Sequence, residues 1–383
     1  MNIAILVHRF PPYLGGAEMY SRRLAQGLQS LGHQVTVYTT RHPERREDGI
    51  KTRELKNINP PGSGYFFWPA FFKPSVFREL KNYDVIHAVD FSMFAALAGL
   101  IASRVYSKPS ALTAFYHPPS AMPHPWLKSW YDKTVGRFIL SGYSAMIIHS
   151  TFELEALSAN VGELDQQRLY RIPSGPIIEG IKPRYGFRER YGLADKHLVL
   201  YVGRIDSNKG ADHLLHAINK LKNSEEAQNL ALAIVGEEES WHRWSPDTVR
   251  LIKEMEDRVF FIGKLFGEEL AAAYAESDAL IVPSKYESYG LTLVEALSYG
   301  TPVIATRVGI APEVIKDGYN GYLYNYGNAE MLAESILKLK DLDKSELRQN
   351  ASDSVRDFTW DRTLRDITDL YYSLVKVPNE QLL

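Results

Sequence analysis

The feature that most constrains the fold is an alternation of short apolar segments with helical patterns, which restarts near the middle of the chain. In the first half, apolar periodicity predicts strands at 2–7, 34–38, 84–89, 110–115, 145–149 and 169–172. Between them it predicts helices at 17–31, 92–104, 126–140 and 152–160. Strands that alternate with crossover helices are typical of a parallel sheet covered by helices on both faces.

The second half repeats this pattern. Strands are predicted at 198–202, 230–235, 259–262, 279–282 and 302–305, with helices at 210–222, 267–276 and 290–298. Proline and glycine are dense between the halves, which indicates a connection near 174–186. The sequence therefore predicts an α/β protein with two doubly wound, Rossmann-like domains facing each other across a cleft, residues 1–175 and 176–360.

Composition excludes several classes of protein. The chain has no cysteine, which excludes disulfides, thiolate metal sites and a cysteine nucleophile. Its 44 Lys and Arg against 46 Asp and Glu leave no excess of positive charge for binding nucleic acid. The longest apolar stretch, Phe91 to Val105, is too short and too interrupted to cross a bilayer, and the N-terminus lacks the basic stretch of a signal peptide. We expect a cytoplasmic protein.

The strongest motif lies where the predicted strand 279–282 leads into the helix 290–298. The motif reads Pro283-Ser284-Lys285-Tyr286-Glu287-Ser288-Tyr289-Gly290-Leu291. We expect Ser288, Tyr289 and Gly290 in the first helical turn, where free amide groups and the helix dipole suit a diphosphate. Gly290 has no side chain to keep the anion away from the backbone.

Two carboxylates accompany this motif. Glu287 precedes the predicted helix and Glu295 lies inside it, and both can accept hydrogen bonds from sugar hydroxyls. The alternative is that Glu287 is a helix-start acid and that Glu295 lies on a solvated face. We favour the functional interpretation because Glu295 is surrounded by apolar residues in the sequence.

Two cations follow the first predicted strand of the second half. Arg204 ends this strand and Lys209 opens the next helix, so both are expected at the edge where the diphosphate motif lies. Fixed cations there would stabilise a diphosphate leaving group as it gains negative charge. The alternative is a surface pair that bonds to Asp206.

The first half contributes weaker signals. Gly15 and Gly16 lie between the first strand and helix; they permit close backbone approach to a ligand or form a tight turn, but they do not form a G-x-G-x-x-G fingerprint. His117 follows the predicted strand 110–115 and would project into the cleft, although isolated histidines are as often structural.

Together these motifs resemble the retaining GT-B glycosyltransferases of family 4. The resemblance includes Gly203-Arg204, Lys209-Gly210, the Glu287…Glu295 spacing, Gly309 and Gly318-Tyr319-Asn320-Gly321, and it covers nearly the whole chain. It implies an acceptor-binding N-terminal domain, a nucleotide-sugar-binding C-terminal domain, and a last helix within 361–383 that packs back on the first domain. It implies catalytic roles for four residues, which are His117, Arg204, Lys209 and Glu287. It implies donor binding by Gly15, Gly16, Arg204, Lys209, Gly263, Lys264, Leu265, Glu287, Ser288, Tyr289, Gly290, Leu291 and Glu295.

We therefore expect transfer of a sugar from a UDP- or GDP-sugar to a hydroxyl acceptor, with the anomeric configuration retained. Retention can follow a covalent glycosyl-enzyme or front-side attack, and the resemblance favours the second. No obligatory metal or other cofactor is expected, since cations and helix amides face the diphosphate and the one Asp-x-Asp, Asp341 to Asp343, suits helix capping. A catalytically silent nucleotide-sugar-binding protein and a GT-B nucleotide-sugar epimerase are the alternatives.

The acceptor, a sugar or a lipid-linked molecule, is less well specified. Aromatic residues cluster at Tyr65 to Lys73 and again at Trp126 to Lys133, where Trp126 and Trp130 share a helical face. Each cluster is either core or the rim of a lipid-linked acceptor site or of a peripheral membrane contact. One segment departs from the family pattern: three acids, Glu237 to Glu239, follow the strand 230–235 and would repel a donor unless they point away.

Overall fold

The computed structural model describes residues 1–42, 44, 49–55, 74–92, 94–122, 124–238 and 244–376. The chain divides into two compact units, one formed by Met1–Ile177 with Trp360–Leu383 and the other by Ile178–Thr359. Each unit contains one parallel sheet, with an apolar cluster on each of its faces. The predicted class, α/β with two doubly wound Rossmann-like sheets, is confirmed.

The N-terminal unit has a seven-stranded sheet of order β3-β2-β1-β4-β5-β6-β7. The strands are β1 (Asn2–Val7), β2 (Gln34–Thr40), β3 (Lys51–Leu55), β4 (Val85–Val89), β5 (Ser110–Thr113), β6 (Ala145–Ile148) and β7 (Leu169–Arg171). Along β1, Ile3 and Ile5 enter one apolar cluster while Ala4 and Leu6 enter the other, as the two-residue period of a strand requires. The strand order reverses at β1 and β4.

Helices cover both faces of this sheet. They are α1 (Gly16–Ser30), α2 (Pro74–Leu80), α3 (Phe94–Val105), α4 (Pro125–Tyr131), α5 (Arg137–Leu140) and α6 (Thr151–Asn160). The helix predicted at 126–140 is thus divided in two, because a π-helical turn, Asp132–Gly136, separates α4 from α5.

The C-terminal unit has a six-stranded sheet of order β10-β9-β8-β11-β12-β13. The strands are β8 (His197–Val202), β9 (Leu230–Val235), β10 (Val259–Gly263), β11 (Ala279–Val282), β12 (Val303–Thr306) and β13 (Gly321–Tyr324). The helices are α7 (Phe187–Arg190), α8 (Ala211–Lys220), α9 (Pro246–Glu254), α10 (Gly267–Glu276), α11 (Leu291–Ser298), α12 (Ala311–Val314), α13 (Ala329–Lys340) and α14 (Lys344–Ser354). Here the strand order reverses at β8 and β11.

The last helix, α15 (Trp360–Lys376), belongs to the N-terminal unit and packs against α1. At its start the indole of Trp360 donates a hydrogen bond to the carbonyl of Pro176 (2.9 Å), and the hydroxyl of Thr363 accepts one from the amide of Gly175 (3.1 Å). Its apolar face is buried, with Ile367 and Tyr371 fully enclosed. Among the described residues, no helix has both the length and the apolar character needed to cross a membrane.

Two features of the local structure were not predicted. Lys51–Leu55 form the edge strand β3, for which apolar periodicity predicts no strand because its exposed side chains give it a polar composition. Ser288, Tyr289 and Gly290 were expected in a first helical turn, but α11 begins at Leu291. Gly290 cannot belong to the helix because its φ of +102° is left-handed.

Candidate functional site

The predicted site residues of the C-terminal unit follow the carboxyl ends of strands of one parallel sheet. Arg204 and Lys209 follow β8, Lys264 follows β10, and Glu287 follows β11. Because β8 and β11 are the strands at which the order reverses, the loops after them border the crevice where open α/β sheets bind ligands. Topology therefore brings these predicted residues to one edge of one sheet.

Lys209 and Glu287 form an ion pair across this crevice. The ammonium of Lys209 donates to both carboxylate oxygens of Glu287, at 2.7 and 2.9 Å, and the hydroxyl of Ser284 donates to the same carboxylate at 2.7 Å. Both charged side chains are largely shielded from solvent. The pair joins the loops after β8 and β11 and fixes both charges at the point where the strand order reverses.

Backbone contacts hold the two loops together. The amide of Lys285 donates to the carbonyl of Asn208 (2.7 Å), and the buried carboxylate of Asp206 accepts from the amides of Asn208 (2.8 Å) and Lys209 (3.0 Å). Gly210 then starts α8 with φ +71°, and a Cβ at this position would lie 2.0 Å from the carbonyl oxygen of Pro283. Only glycine allows this approach.

Arg204 lies on the solvent side of the same loop. Its guanidinium is 3.6 Å from the carboxylate of Asp206, and its side chain is 45% exposed. Its carbonyl accepts a hydrogen bond from the hydroxyl of Tyr201 (2.6 Å), which anchors the backbone at the end of β8. The site therefore has one cation held by Glu287 and a second that reaches solvent beside it.

Glu295 lies inside α11 and is buried. Its carboxylate accepts a hydrogen bond from the hydroxyl of Tyr274 on α10 (2.8 Å), and burial together with this carboxylate raises the pKa of Tyr274 well above its ordinary value. Glu295 therefore does not lie on a solvated face of the helix, which was the alternative interpretation. Glu287 precedes α11 and lies at the crevice. Glu295 lies within α11 and links it to α10 through the hydrogen bond from Tyr274.

Two of the three acids that depart from the family pattern, Glu237 and Glu238, have partners. The ammonium of Lys264 is 2.5 Å from the carboxylate of Glu237, and Glu238 accepts a hydrogen bond from the indole of Trp244. The amide of Gly236 donates to the carbonyl of Gly263 (2.9 Å), which fixes the loop before Lys264 and Leu265. The charge of Glu237 is therefore balanced locally; Glu239 and Ser240 lie outside the described residues.

His117 belongs to the N-terminal unit, in the loop after β5. Its Nδ1 is 2.9 Å from the carbonyl oxygen of Phe115, a residue with the strained φ of +39°. The buried carboxylate of Glu153 accepts from the amides of Tyr116 and His149, both at 2.8 Å, and so ties the loops after β5 and β6 together. Burial raises the pKa of Glu153 to about 7. The loop that carries His117 is thus held rigidly.

Gly15 and Gly16 lie at the start of α1, after β1. Gly15 is the residue before the helix, with an extended backbone at φ −174° and ψ 167°, and its carbonyl accepts from the amide of Met19 (3.0 Å). The carboxylate of Glu18 folds back over it, since a Cβ on Gly15 would lie 2.3 Å from Glu18 Oε2. The glycines therefore lie at a helix start, and neither has the left-handed φ of a tight turn.

Asp90, which the sequence analysis did not select, occupies the corresponding crevice of the N-terminal sheet. It follows β4, next to β1 where the strand order reverses, and has the strained φ of +78°. The amide of Ser92 donates to its carboxylate (3.0 Å). Burial and the negative charge of Glu18 raise its pKa to about 7, against the opposing effects of this hydrogen bond and of Lys128. The switch-point rule, applied to the first half of the sequence, would have selected it.

Two observations bear on whether this protein binds a metal ion. Within the part of the chain that the structure describes, no three His, Asp or Glu side chains come together as a metal site. Of the Asp-x-Asp motif, Asp343 precedes α14 and its carboxylate accepts from the amide of Glu346 (2.8 Å), which makes it a helix cap.

Comparison with known proteins identifies the family. Residues 14–176 match the model of Glycosyltransferase Family 4, and residues 186–358 match the model of Glycosyl transferases group 1. The D-inositol 3-phosphate glycosyltransferase of Corynebacterium glutamicum is 33% identical over 397 aligned residues, 95% of this chain and 93% of that protein.

Solved structures share the fold over almost the entire chain. Sucrose-phosphate synthase from Thermosynechococcus elongatus has a TM-score of 0.80 at 24% identity and covers 97% of this chain and 98% of its own. The Anabaena protein HepE in complex with UDP has a TM-score of 0.78 at 22% identity and covers 97% of this chain and 100% of its own. The resemblance predicted from the motifs is confirmed: this chain belongs to glycosyltransferase family 4 and is a glycosyltransferase of the GT-B fold.

Proposed function

We propose that this protein transfers a sugar from a UDP- or GDP-sugar to a hydroxyl acceptor, with the anomeric configuration retained and without an obligatory metal. The observation that carries the proposal is the Lys209–Glu287 ion pair across the crevice between β8 and β11, with Arg204 beside it. Glu287 of this pair lies four residues before α11, whose start favours an anion because of the helix dipole, and Arg204 belongs to the same loop as Lys209.

The diphosphate of the donor is assigned to Lys209, Arg204 and the amides of Ser288 to Leu291. An ammonium group has three N–H donors, and Glu287 accepts two of those of Lys209, which leaves one for a phosphate oxygen. Glu287 thereby keeps the ammonium pointing in a fixed direction. Its second role in this proposal is to accept a hydrogen bond from a hydroxyl of the transferred sugar.

Other donor contacts follow from the family resemblance. Glu295 is assigned to the ribose hydroxyls, and Gly263, Lys264 and Leu265 to the nucleotide base. From the N-terminal unit, Gly15 and Gly16 are assigned to the donor phosphate and His117 to the transferred sugar. UDP is the first nucleotide to test, because HepE was solved with UDP and with UDP-glucose.

The acceptor hydroxyl is assigned to the crevice of the N-terminal sheet, at Asp90. Its carboxylate, with Glu18 close enough to raise its pKa, makes this crevice negative when both are ionised. We therefore expect an acceptor whose hydroxyl donates a hydrogen bond to Asp90.

Retention is proposed to result from front-side attack. The bond between the anomeric carbon and the diphosphate oxygen breaks, and the acceptor oxygen bonds to the same face of the sugar. The acceptor proton passes to a departing phosphate oxygen. Lys209, Arg204 and the amides before α11 stabilise the negative charge that develops on the diphosphate.

A donor screen tests this function. UDP-sugars and GDP-sugars are incubated with the protein, with and without polyhydroxylic acceptors, and the released nucleoside diphosphate is measured. We expect release that depends on an acceptor, and a product whose anomeric configuration, read by NMR, equals that of the donor. Binding of nucleotide-sugar without any release would favour a silent binding protein, and inversion would contradict the proposed mechanism.

A further inference from the structure

The segment Pro125–Leu140 of the N-terminal unit exposes large aromatic side chains. Trp126 is 72% exposed, Trp130 is 59% exposed and Phe138 is 44% exposed. Trp126 and Trp130 are four residues apart on α4, so they are neighbours on one helical face. We call the exposed surface formed by these three aromatic residues, Lys133, Arg137 and the C-terminal end of α3 the aromatic face.

The opposite side of this segment fixes its orientation. Lys128, Asp132, Gly136 and Ile139 are buried, and the ammonium of Lys128 bonds to the carboxylate of Asp132 and lies 4.3 Å from the ring centre of Tyr116. The hydroxyl of Tyr116 donates to the other oxygen of Asp132 (2.7 Å). Because the buried side is anchored in this way, the two tryptophans cannot turn inward, so the core interpretation of this cluster is wrong.

The end of α3 extends the same surface. Val105 is 63% exposed, and the guanidinium of Arg104 lies 5.6 Å from the ring centre of Phe138. Arg104 of α3 therefore adjoins Phe138 of α5, and Val105, the last residue of α3, is exposed next to Arg104 in the chain. Two separate parts of the chain, the segment Pro125–Leu140 and the end of α3, therefore contribute to the aromatic face.

The segment Pro125–Leu140 and helix α3 contribute cations but no exposed acid to the aromatic face. Lys133 and Arg137 are exposed, and Arg104 adjoins Phe138. Asp132 is the only acid in the fully described stretch Pro125–Leu140, and it is buried and bonded to Lys128. Exposed tryptophans flanked by cations, in two segments that contribute no exposed acid, complement a surface that is apolar beneath and negatively charged above.

We propose that the aromatic face docks on the headgroup layer of an anionic lipid bilayer. The indoles enter the boundary between headgroups and acyl chains, where their apolar rings and N–H groups are both satisfied. Lys133, Arg137 and Arg104 meet the anionic headgroups. This contact needs neither the donor site nor the proposed reaction.

Vesicle flotation tests the proposal with the whole chain. Vesicles of phosphatidylcholine are compared with vesicles that also contain phosphatidylglycerol. We expect the protein to float with the anionic vesicles and to dissociate as salt is raised. Trp126→Ala/Trp130→Ala and Arg104→Glu/Lys133→Glu should each lower the vesicle partition coefficient at least about tenfold.

A matched control is available in the C-terminal unit. Arg250→Glu/Lys253→Glu makes the same charge change on the exposed side of α9 and should bind vesicles as the unchanged protein does. UDP binding by the Trp126→Ala/Trp130→Ala variant should be unchanged, which shows that the variant is folded. A failure of UDP binding in every variant and in the unchanged protein would instead count against the proposed donor site.

Two results would overturn the proposal. One is equal partition of the unchanged protein and the Trp126→Ala/Trp130→Ala variant. The other is a dimer in solution that this variant converts to monomer, with no vesicle binding by either, since the aromatic face would then join two copies of this chain.

Discussion

The ammonium of Lys209 lies 2.7 and 2.9 Å from the two carboxylate oxygens of Glu287, across the point where the C-terminal sheet reverses its strand order. These residues are far apart in the sequence and belong to the loops after β8 and β11. The pair explains how a cation can face a phosphate while its direction stays fixed. It also makes Glu287 responsible for the orientation of Lys209 as well as for its own contacts.

Glu287→Gln tests that double role. The amide keeps the size of the side chain but removes its charge, so Lys209 loses its ionic partner and the sugar loses a strong acceptor. We expect turnover to fall by about 10²–10³-fold, as for removal of one preorganised group in an active site. Steady-state kinetics measures it, with Glu330→Gln as the control, because that carboxylate pairs with the exposed Lys220, away from the proposed site. Equal losses in the two variants would contradict the assignment.

Gly210→Ala tests the close approach of the two loops. The new Cβ would lie 2.0 Å from the carbonyl oxygen of Pro283, so the loop that carries Lys209 must move. We expect UDP affinity to fall at least about tenfold. Gly180→Ala is the matched control: Gly180 has a similar φ of +77° but no atom within 4 Å of the new Cβ, so it introduces backbone strain alone. Titration calorimetry measures the dissociation constant of UDP for both variants. A weaker affinity in Gly210→Ala alone would show that displacement of the loop, and not backbone strain, is the cause.

Removal of divalent metal tests the proposed independence from metal. If Arg204, Lys209 and the amides before α11 carry the diphosphate charge, EDTA should leave donor turnover within about twofold of the untreated value. Released nucleoside diphosphate is measured with EDTA and after addition of excess Mg²⁺ or Mn²⁺. A loss of activity that Mg²⁺ or Mn²⁺ restores would show that a metal shares this task.

Asp90 predicts a pH dependence of acceptor use. Its pKa of about 7 means that the carboxyl is mostly protonated at pH 6 and mostly ionised at pH 8. If the ionised form binds the acceptor hydroxyl, kcat/KM for the acceptor should rise about tenfold over this range. Asp90→Asn should abolish this rise of kcat/KM between pH 6 and pH 8. Glu18→Gln should move it to lower pH, because the charge of Glu18 raises the pKa of Asp90.

The control for this profile is Asp84→Asn. Asp84 precedes β4 at the amino edge of the same sheet, where its carboxylate accepts from the amide of Asn2 (2.7 Å). Its replacement should leave the pH step in place. An unchanged profile in Asp90→Asn would remove Asp90 from the acceptor site.

Periodicity in the sequence was sufficient for the central strands and for the prediction that Arg204, Lys209 and Glu287 lie at one edge of one sheet. β1, β9 and β11 are buried aliphatic runs, and parallel topology alone places the residues that follow such strands at one edge. β3 was missed because an edge strand alternates exposed charges with half-buried side chains and so has the composition of a loop.

Other features depend on tertiary contacts that no sequence pattern encodes. Glu295 bonds to Tyr274 only because α11 packs on α10, and the raised pKa of Asp90 depends on burial and on the approach of Glu18 from α1. The exposure of Trp126 and Trp130 also depends on tertiary contacts, because the buried Lys128–Asp132 pair fixes the opposite side of this segment. The segment Tyr65 to Lys73, the other aromatic cluster, lies outside the described residues.

The most direct test of the central claim is the dissociation constant of UDP for Lys209→Ala, measured by titration calorimetry beside the unchanged protein. A charge-assisted hydrogen bond to phosphate should be lost, so the dissociation constant should rise about 10–100-fold. Lys220→Ala, at the far end of α8 and paired with Glu330, should bind UDP normally. UDP affinity that stays the same in Lys209→Ala would contradict a diphosphate site between β8 and β11.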